Sequence, residues 1–346
     1  MAVNKVSFGK TKTGEEASLF SITNKNGMEV QVTDYGVNIV GILLPNDDGT
    51  KTDVVLGYDT LAQYEVNDCF FGSTIGPSAN RVNDATFQIH GKIYHIAVND
   101  GKNNLHSDME LGYHKRIWDS SIVDNSVIFT LEDHATMGFP GNKKIKVVFT
   151  LTEENEVKLS YDATSDEDTL INLTNHVYFN LEGHDQGSIV NHKLTLLASN
   201  YTPVVAGSIP TGEIATVKGT PFDFLTATTI GDRIDADNQQ LAFGKGYDHN
   251  WVIDNCDGTV KLIARVEEPS GKRTMEVYSD QPGIQFYAGN CISSHTGKAN
   301  AQYGKRTGFA LETQAFPDSI NKENFPDVVY GPNRPYQTTT IYKFIW

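Results

Sequence analysis

The run Ile145-Lys146-Val147-Val148-Phe149-Thr150-Leu151 leads through Glu153-Glu154-Asn155-Glu156 into Val157-Lys158-Leu159-Ser160-Tyr161-Asp162. Ile145, Val147, Phe149 and Leu151 alternate with Lys144, Lys146, Val148 and Thr150; Val157, Leu159 and Tyr161 alternate with Lys158, Ser160 and Asp162. Side chains change face at every residue of a strand, so this period predicts two strands, each with one buried and one wet face. The polar residues between them predict the turn of an antiparallel hairpin.

The same reading extends outward. Phe87-Gln88-Ile89-His90 and Lys92-Ile93-Tyr94-His95-Ile96 flank Gly91, which supplies a tight turn. Met28-Glu29-Val30-Gln31-Val32 leads likewise into Val37-Asn38-Ile39-Val40. Long amphipathic helical patterns are absent. Short helices are expected at Asp59–Tyr64, with Asp59 as N-cap, and near Phe224–Ala227. The stretch from Leu225 to Phe243 is polar and reads as loop. Many strands punctuated by Gly, Asn, Asp and Pro predict an all-β fold, a large antiparallel β-sandwich with few short helices. No repeat or linker divides the chain, so residues 1–346 are expected to form a single domain.

The formal net charge of -15 argues against attraction to nucleic acid or to an anionic membrane. Cys69, Cys256 and Cys291 are far apart and odd in number, which speaks against a disulfide framework and for a reducing compartment. The first residues, Met1 to Lys10, show no apolar signal segment, and no stretch is long and apolar enough to span a bilayer. Asn172-Leu173-Thr174 and Asn200-Tyr201-Thr202 match the glycosylation pattern and are read as chance.

Three strand candidates carry an unusual second face. Around His176 one face offers Thr174, His176, Tyr178 and Asn180, against Leu173, Asn175, Val177, Phe179 and Leu181 on the other, apolar but for Asn175. Around Glu312 the faces are Gly308, Ala310, Glu312 and Gln314 against Phe309 and Leu311. In Gly283–Gly289, Gly283, Gln285, Tyr287 and Gly289 oppose Ile284, Phe286 and Ala288. Hydrogen-bonding groups, an aromatic platform and small residues that leave room suit a sugar, which has hydroxyls and apolar C–H faces. A wetted outer face is the alternative. An imidazole and a carboxyl facing one pocket are the minimum kit for a two-sided proton transfer.

Other chemistries lack their signatures. The ten histidines form no His-x-His or His-Glu-x-x-His, so no metal is expected. There is no phosphate loop, no Gly-x-Gly-x-x-Gly after a strand and no Gly-x-Ser-x-Gly elbow.

Six segments in order resemble the aldose 1-epimerase family, the galactose mutarotases. They are Gly76-Pro77-Ser78-Ala79-Asn80-Arg81, Asn103-Asn104-Leu105-His106, Thr174–Leu181, Tyr247-Asp248-His249-Asn250, Gln281–Tyr287 and Leu311-Glu312-Thr313-Gln314. Gly138-Phe139-Pro140-Gly141 and Asp53–Tyr58 also fit, and the likeness runs from about Tyr35 to about Tyr342. One departure stands out: Ser107-Asp108 follows His106 where the family usually has Gly-Gly.

The resemblance implies a mutarotase-like sandwich that interconverts the α and β anomers of a free aldohexose such as galactose or glucose, without a cofactor. Glu312 is then the general base at the C1 hydroxyl and His176 the general acid at the ring oxygen, on opposite sides of the bound ring. Unperturbed, the Glu would be ionised at neutral pH, and the His would have to be kept protonated. Arg81, His106, Asp248, Gln285 and Asn80 are implied as substrate-binding residues, with Tyr287 as a flat surface under the ring. A cytoplasmic monomer or homodimer with a monosaccharide as its partner completes the expectation. The rivals are a hexose-6-phosphate 1-epimerase, a non-catalytic carbohydrate-binding sandwich, and a glycoside hydrolase or polysaccharide lyase.

Overall fold

The computed structural model describes residues 2–346. The hairpin at 145–161 forms as expected. Asn142–Leu151 pairs antiparallel with Glu156–Ser165, setting Phe149 opposite Leu159 and Val147 opposite Tyr161. Those four side chains, with Ile145, Leu151 and Val157, all lie in the core.

This hairpin sits inside a nine-stranded antiparallel sheet. Ser126–His134 and Asp119–Val123 extend it on one side. On the other side Tyr336–Ile345 pairs with Glu156–Ser165 and also with Thr274–Ser279, so it joins the two halves of the sheet. Lys261–Glu267, Lys193–Leu196 and the edge strand Thr228–Thr229 complete it.

Two further sheets share its apolar core. A six-stranded sheet runs Tyr178–Phe179, Phe309–Gln314, Gly283–Tyr287, Asp248–Val252, Asn200–Thr202, Ala215–Thr216. A five-stranded sheet takes the first strands in chain order, Ala2–Lys10 to Lys51–Asp53. Phe179 meets Tyr342 at 5.0 Å between ring centroids, and Phe20 meets Phe129 edge-on at 5.5 Å. One continuous cluster holds buried residues of all three sheets, as expected of sheets packed face to face.

The second face of the six-stranded sheet is covered rather than wetted. Ala310 and Tyr178 pack in a separate cluster with Tyr35, Leu56, Tyr58 and Phe71. Thr174, His176, Tyr178 and Asn180 are all buried, so neither face of that segment meets bulk water. The segment is also not one strand. Thr174–His176 pairs with Ser73–Ile75, and Tyr178–Phe179 pairs with Phe309–Ala310. Nor do the small residues leave room for a ligand. A Cβ on Gly308 would meet Leu56 at 2.9 Å, on Gly283 the Asn250 side chain at 2.4 Å, and on Gly289 the Gly308 carbonyl oxygen at 2.3 Å. They permit close protein packing.

Local corrections follow from side-chain chemistry. The first helix is Leu61–Glu65 with Thr60, not Asp59, as N-cap. Thr60 N–H donates to Gln63 Oε1, while Asp59 accepts from Ala299 N–H. Phe224–Ala227 is not helical: Leu225 N–H donates to Asp223 Oδ1 in a turn, and the chain continues into the edge strand Thr228–Thr229. The 225–243 stretch holds that strand, a 3-10 turn at Ile230–Asp232 and the start of a helix, Gln239–Gly244, capped by Asn238.

Candidate active site

Register does the first part of the assembly. Gln285 lies directly opposite Glu312 and Asn250, and Asp248 lies opposite Tyr287. Residues opposite each other, or two apart, share a face, so Asp248, Gln285, Tyr287 and Glu312 project from the same side of three adjacent strands. Thr174–His176 lies beside the Phe309–Gln314 strand and brings the imidazole to the carboxylate. His176 Nε2 and Glu312 Oε1 are 3.6 Å apart.

Two covering loops supply the rest. Gly76–Pro77 is a cis peptide, and the chain then passes through Asn80 at φ 58° to reach Arg81. Arg81–Val82 pairs with Asn104–Leu105, which sets His106 beside Asn80. Asn80 N–H donates to His106 Nδ1 at 3.1 Å, and His106 N–H donates to the Asn80 carbonyl at 3.0 Å. His106 Nδ1 is therefore an acceptor, and the neutral ring carries its proton on Nε2.

The departure from Gly-Gly acquires a physical account here. His106 and Ser107 both have left-handed backbone, at φ 55° and 69°, where glycine would be unstrained. Ser107 brings compensation that glycine lacks: its Oγ accepts from Ser78 N–H at 2.8 Å and donates to the Ser78 carbonyl at 2.9 Å. Asp108 then closes the turn by accepting from the N–H groups of Glu110 and Leu111.

These residues enclose a cavity of about 190 Å³ lined by Asn80, Arg81, His106, His176, Asp248, Tyr287 and Glu312. That is the room of roughly six waters, a fit for one small polar molecule. Gln285 is the expected residue that does not line it. Its Nε2 donates to Asp248 Oδ1 at 2.8 Å, so it holds Asp248 from behind. Arg81 donates through Nε to Asp100 at 2.7 Å and approaches Asp248 at 3.9 Å. Burial opposes its charge, but Asp248 and Asp100 outweigh that and hold the guanidinium protonated. Tyr287 stands edge-on to His176, with ring centroids 6.4 Å apart. Asp68, Cys69, Phe70, Leu105, Tyr178 and Cys291 also line the cavity; of these the sequence placed near the site only Tyr178, on the His176 face, and Leu105, within a family segment. Phe70 packs on His106 at 4.8 Å and on His176 at 5.8 Å. Its only local signal is Asn67, whose side chain bonds both Phe71 N–H and the Phe71 carbonyl and so curls the 67–71 loop.

Burial changes the expected protonation. Loss of solvent, helped by Asp248, pushes the Glu312 carboxyl well above its ordinary 4.5. Loss of solvent pulls His176 down to about 4, and Asp248 only partly opposes this. Burial therefore favours a neutral carboxylic acid beside a neutral imidazole, not the ionised base and charged acid expected of exposed groups. Nor do the two flank a ring from opposite sides, since at 3.6 Å they stand side by side. His106 falls well below its ordinary value through burial and then through His176 and Arg81, so it is a neutral donor at Nε2. Donor atoms of His106, His176 and Glu312 lie within 4.8 Å of one another, a spacing that a metal could use. The tautomer of His106 opposes it: binding at Nε2 would move the proton onto Nδ1, against the Asn80 N–H.

Comparison with known proteins gives the family. Residues 18–343 match the family model of aldose 1-epimerase. The chain is 35% identical over 346 residues to galactose mutarotase of Bos taurus, covering 99% of each. It is 35% identical over 338 residues to aldose 1-epimerase of Escherichia coli (strain K12), covering 96% of each. Among solved structures, galactose 1-epimerase of Lactobacillus acidophilus NCFM superposes with a TM-score of 0.86 at 28% identity, over 99% of this chain and 98% of that one. An aldose epimerase homologue from C. elegans gives 0.86 at 28% identity, over 95% and 98%. The chain belongs to the aldose 1-epimerase family, whose named members are isomerases.

Proposed function

We propose that the chain interconverts the α and β anomers of a free aldohexose, with Glu312 and His176 exchanging protons with the sugar. The observation that carries this is the 3.6 Å approach of His176 Nε2 to Glu312 Oε1 in a cavity shared with Arg81, His106 and Asp248. The C1 hydroxyl oxygen and the ring oxygen are both bonded to C1. Two adjacent protein groups, rather than groups on opposite sides, match that edge of the ring.

The reaction needs a proton removed from the C1 hydroxyl and one delivered to the ring oxygen. The ring opens, the C1–C2 bond turns and the aldehyde recloses on its other face. Neutral acid plus neutral imidazole holds as many protons as carboxylate plus imidazolium. Arg81 favours the ionised form of Glu312, and Asp248 favours the charged form of His176. A shift of one proton from carboxyl to imidazole across the gap yields the working pair: Glu312 as base at the C1 hydroxyl, His176 as acid at the ring oxygen. Reclosure reverses both. Each group contributes about 10²–10⁴-fold.

Arg81, His106 Nε2–H and Asp248 hold sugar hydroxyls and fix the reacting atoms, which lowers the entropic part of the barrier. Gln285 orients Asp248, Asn80 orients His106, and Tyr287 offers an apolar surface. A hexose phosphate is not favoured. Among the described residues Arg81 is the one Lys or Arg lining the cavity and is engaged by two carboxylates, while Asp68, Asp248 and Glu312 line the same space. Polarimetry on freshly dissolved α-galactose and α-glucose tests the reading. Catalysed anomer exchange is expected, and a spontaneous rate in the presence of folded protein would overturn it.

A further inference from the structure

A second cluster of ligand-type side chains lies at the cavity rim and takes no part in the proton chemistry. Asp68 and Cys69 line the cavity, and His295 reaches them from the strand pair His295–Thr296 and Gln302–Tyr303. Cys69 Sγ is 3.2 Å from His295 Nε2, and Asp68 Oδ1 is 3.6 Å from the same nitrogen. One ligand atom from each of the three lies within 4.8 Å of the others. Tetrahedral zinc, with bonds of about 2.3 Å to sulfur and about 2.0–2.2 Å to nitrogen and oxygen, sets its ligand atoms about 3.4–3.6 Å apart. The two observed separations bracket that range.

The imidazole is already turned for the task. Its Nδ1 lies 3.3 Å from the Tyr58 hydroxyl, and its ring packs edge-on to Phe71 at 5.9 Å. A proton on Nδ1, donated to Tyr58, leaves the Nε2 lone pair aimed at the sulfur and the carboxylate. Ser293 Oγ, 3.0 Å from Nε2, completes the surroundings. The Asp68 oxygen at 3.6 Å lies beyond hydrogen-bond reach of a nitrogen that already faces the thiol and the hydroxyl, and a shared cation would engage it.

We propose that Asp68, Cys69 and His295 form a site for a thiophilic divalent cation, Zn²⁺ by its donor set, at the rim of the sugar cavity. Binding forms bonds from the cation to Cys69 Sγ, His295 Nε2 and an Asp68 oxygen, and the thiol proton leaves to solvent. A fourth, open position takes water. Because two ligands also line the cavity, the bound ion obstructs access of the sugar. This inhibitory consequence rests on the proposed function, whereas metal binding does not.

The test is calorimetric titration of the intact protein with Zn²⁺ and, separately, absorption spectroscopy with Co²⁺. One equivalent is expected to bind, with a thiolate-to-cobalt charge-transfer band. Cys69→Ala should abolish the band, and His295→Gln should weaken binding at least tenfold. If the rim position is right, Zn²⁺ raises KM for the aldose without lowering kcat, and His295→Gln relieves the effect. Absence of stoichiometric binding would overturn the site. So would a band retained in Cys69→Ala, which would transfer the thiolate to Cys291. Binding undiminished in both variants would place the ion on His106, His176 and Glu312 instead.

Discussion

Replacing Glu312 with Gln separates catalysis from stability. Glu312 is 2% exposed, and its Oε2 has no hydrogen-bond partner among the described residues. Burial raises its pKa, so the folded protein binds a proton there that the unfolded chain releases above its ordinary value of 4.5. A group whose pKa rises on folding contributes its stability fully below the unfolded value and loses it as pH rises through the folded one. Each tenfold difference in proton affinity is worth about 1.4 kcal/mol, so the raised carboxyl costs stability as pH rises above 4.5. Gln is neutral and nearly isosteric and carries no such cost. Glu312→Gln should therefore lose roughly 10²–10⁴-fold in polarimetric rate on α-galactose. Its thermal midpoint should equal or exceed that of the parent at pH 7, with the difference closing as pH falls toward 4.5. A rate within threefold of the parent would refute the catalytic role. A midpoint clearly below the parent at pH 7 would refute the protonated, buried state of the carboxyl.

Other outcomes follow from the same structure. His176→Asn should lower the rate by about 10²–10⁴-fold with a native circular dichroism spectrum, because among the described residues His176 Nδ1 has no hydrogen-bond partner to lose; wholesale unfolding would instead mark a core histidine. Ser107→Ala removes both bonds to Ser78 while keeping the left-handed backbone, and should cost about 2 kcal/mol in urea unfolding and raise KM; unchanged stability would discount the clasp. Stability should fall as pH drops from 6.5 toward 4. Burial holds His106 well below 6.5, His176 and His192 at about 4, and His114 and His249 at about 3. The unfolded chain takes up protons in that window and the folded chain does not. His184, lowered by burial, adds to these, while Glu312, Asp34 and Glu182, raised by burial, act in the opposite sense; a urea midpoint that is flat or rises from pH 6.5 to 4.5 would contradict the reading.

Alternation made the sandwich legible, because the Ile145–Leu151 and Val157–Tyr161 faces follow the period of the pleat. His176 and Glu312 stood out because ionisable groups are rare among Leu, Val and Phe. What covers a face is set by sequence-distant pieces and leaves no local period. The six-stranded sheet therefore read as open on one side, although Tyr35, Leu56 and Phe71 close it. The protonation of the pair was hidden for the same reason, since it depends on the depth of burial. Gln285 was recognised in kind but not in place, because register sets it opposite Glu312 and only its side-chain bond to Asp248 shows that it stands behind the lining.

The strand Tyr336–Ile345 lies between Glu156–Ser165 and Thr274–Ser279, not at a sheet edge. It is the link between the two halves of the nine-stranded ladder. Were it displaced, both halves would present bare strand edges, templates for association with other chains. Opening at this one seam is therefore a route from the folded protein into aggregation, and substitutions that loosen the strand carry that risk.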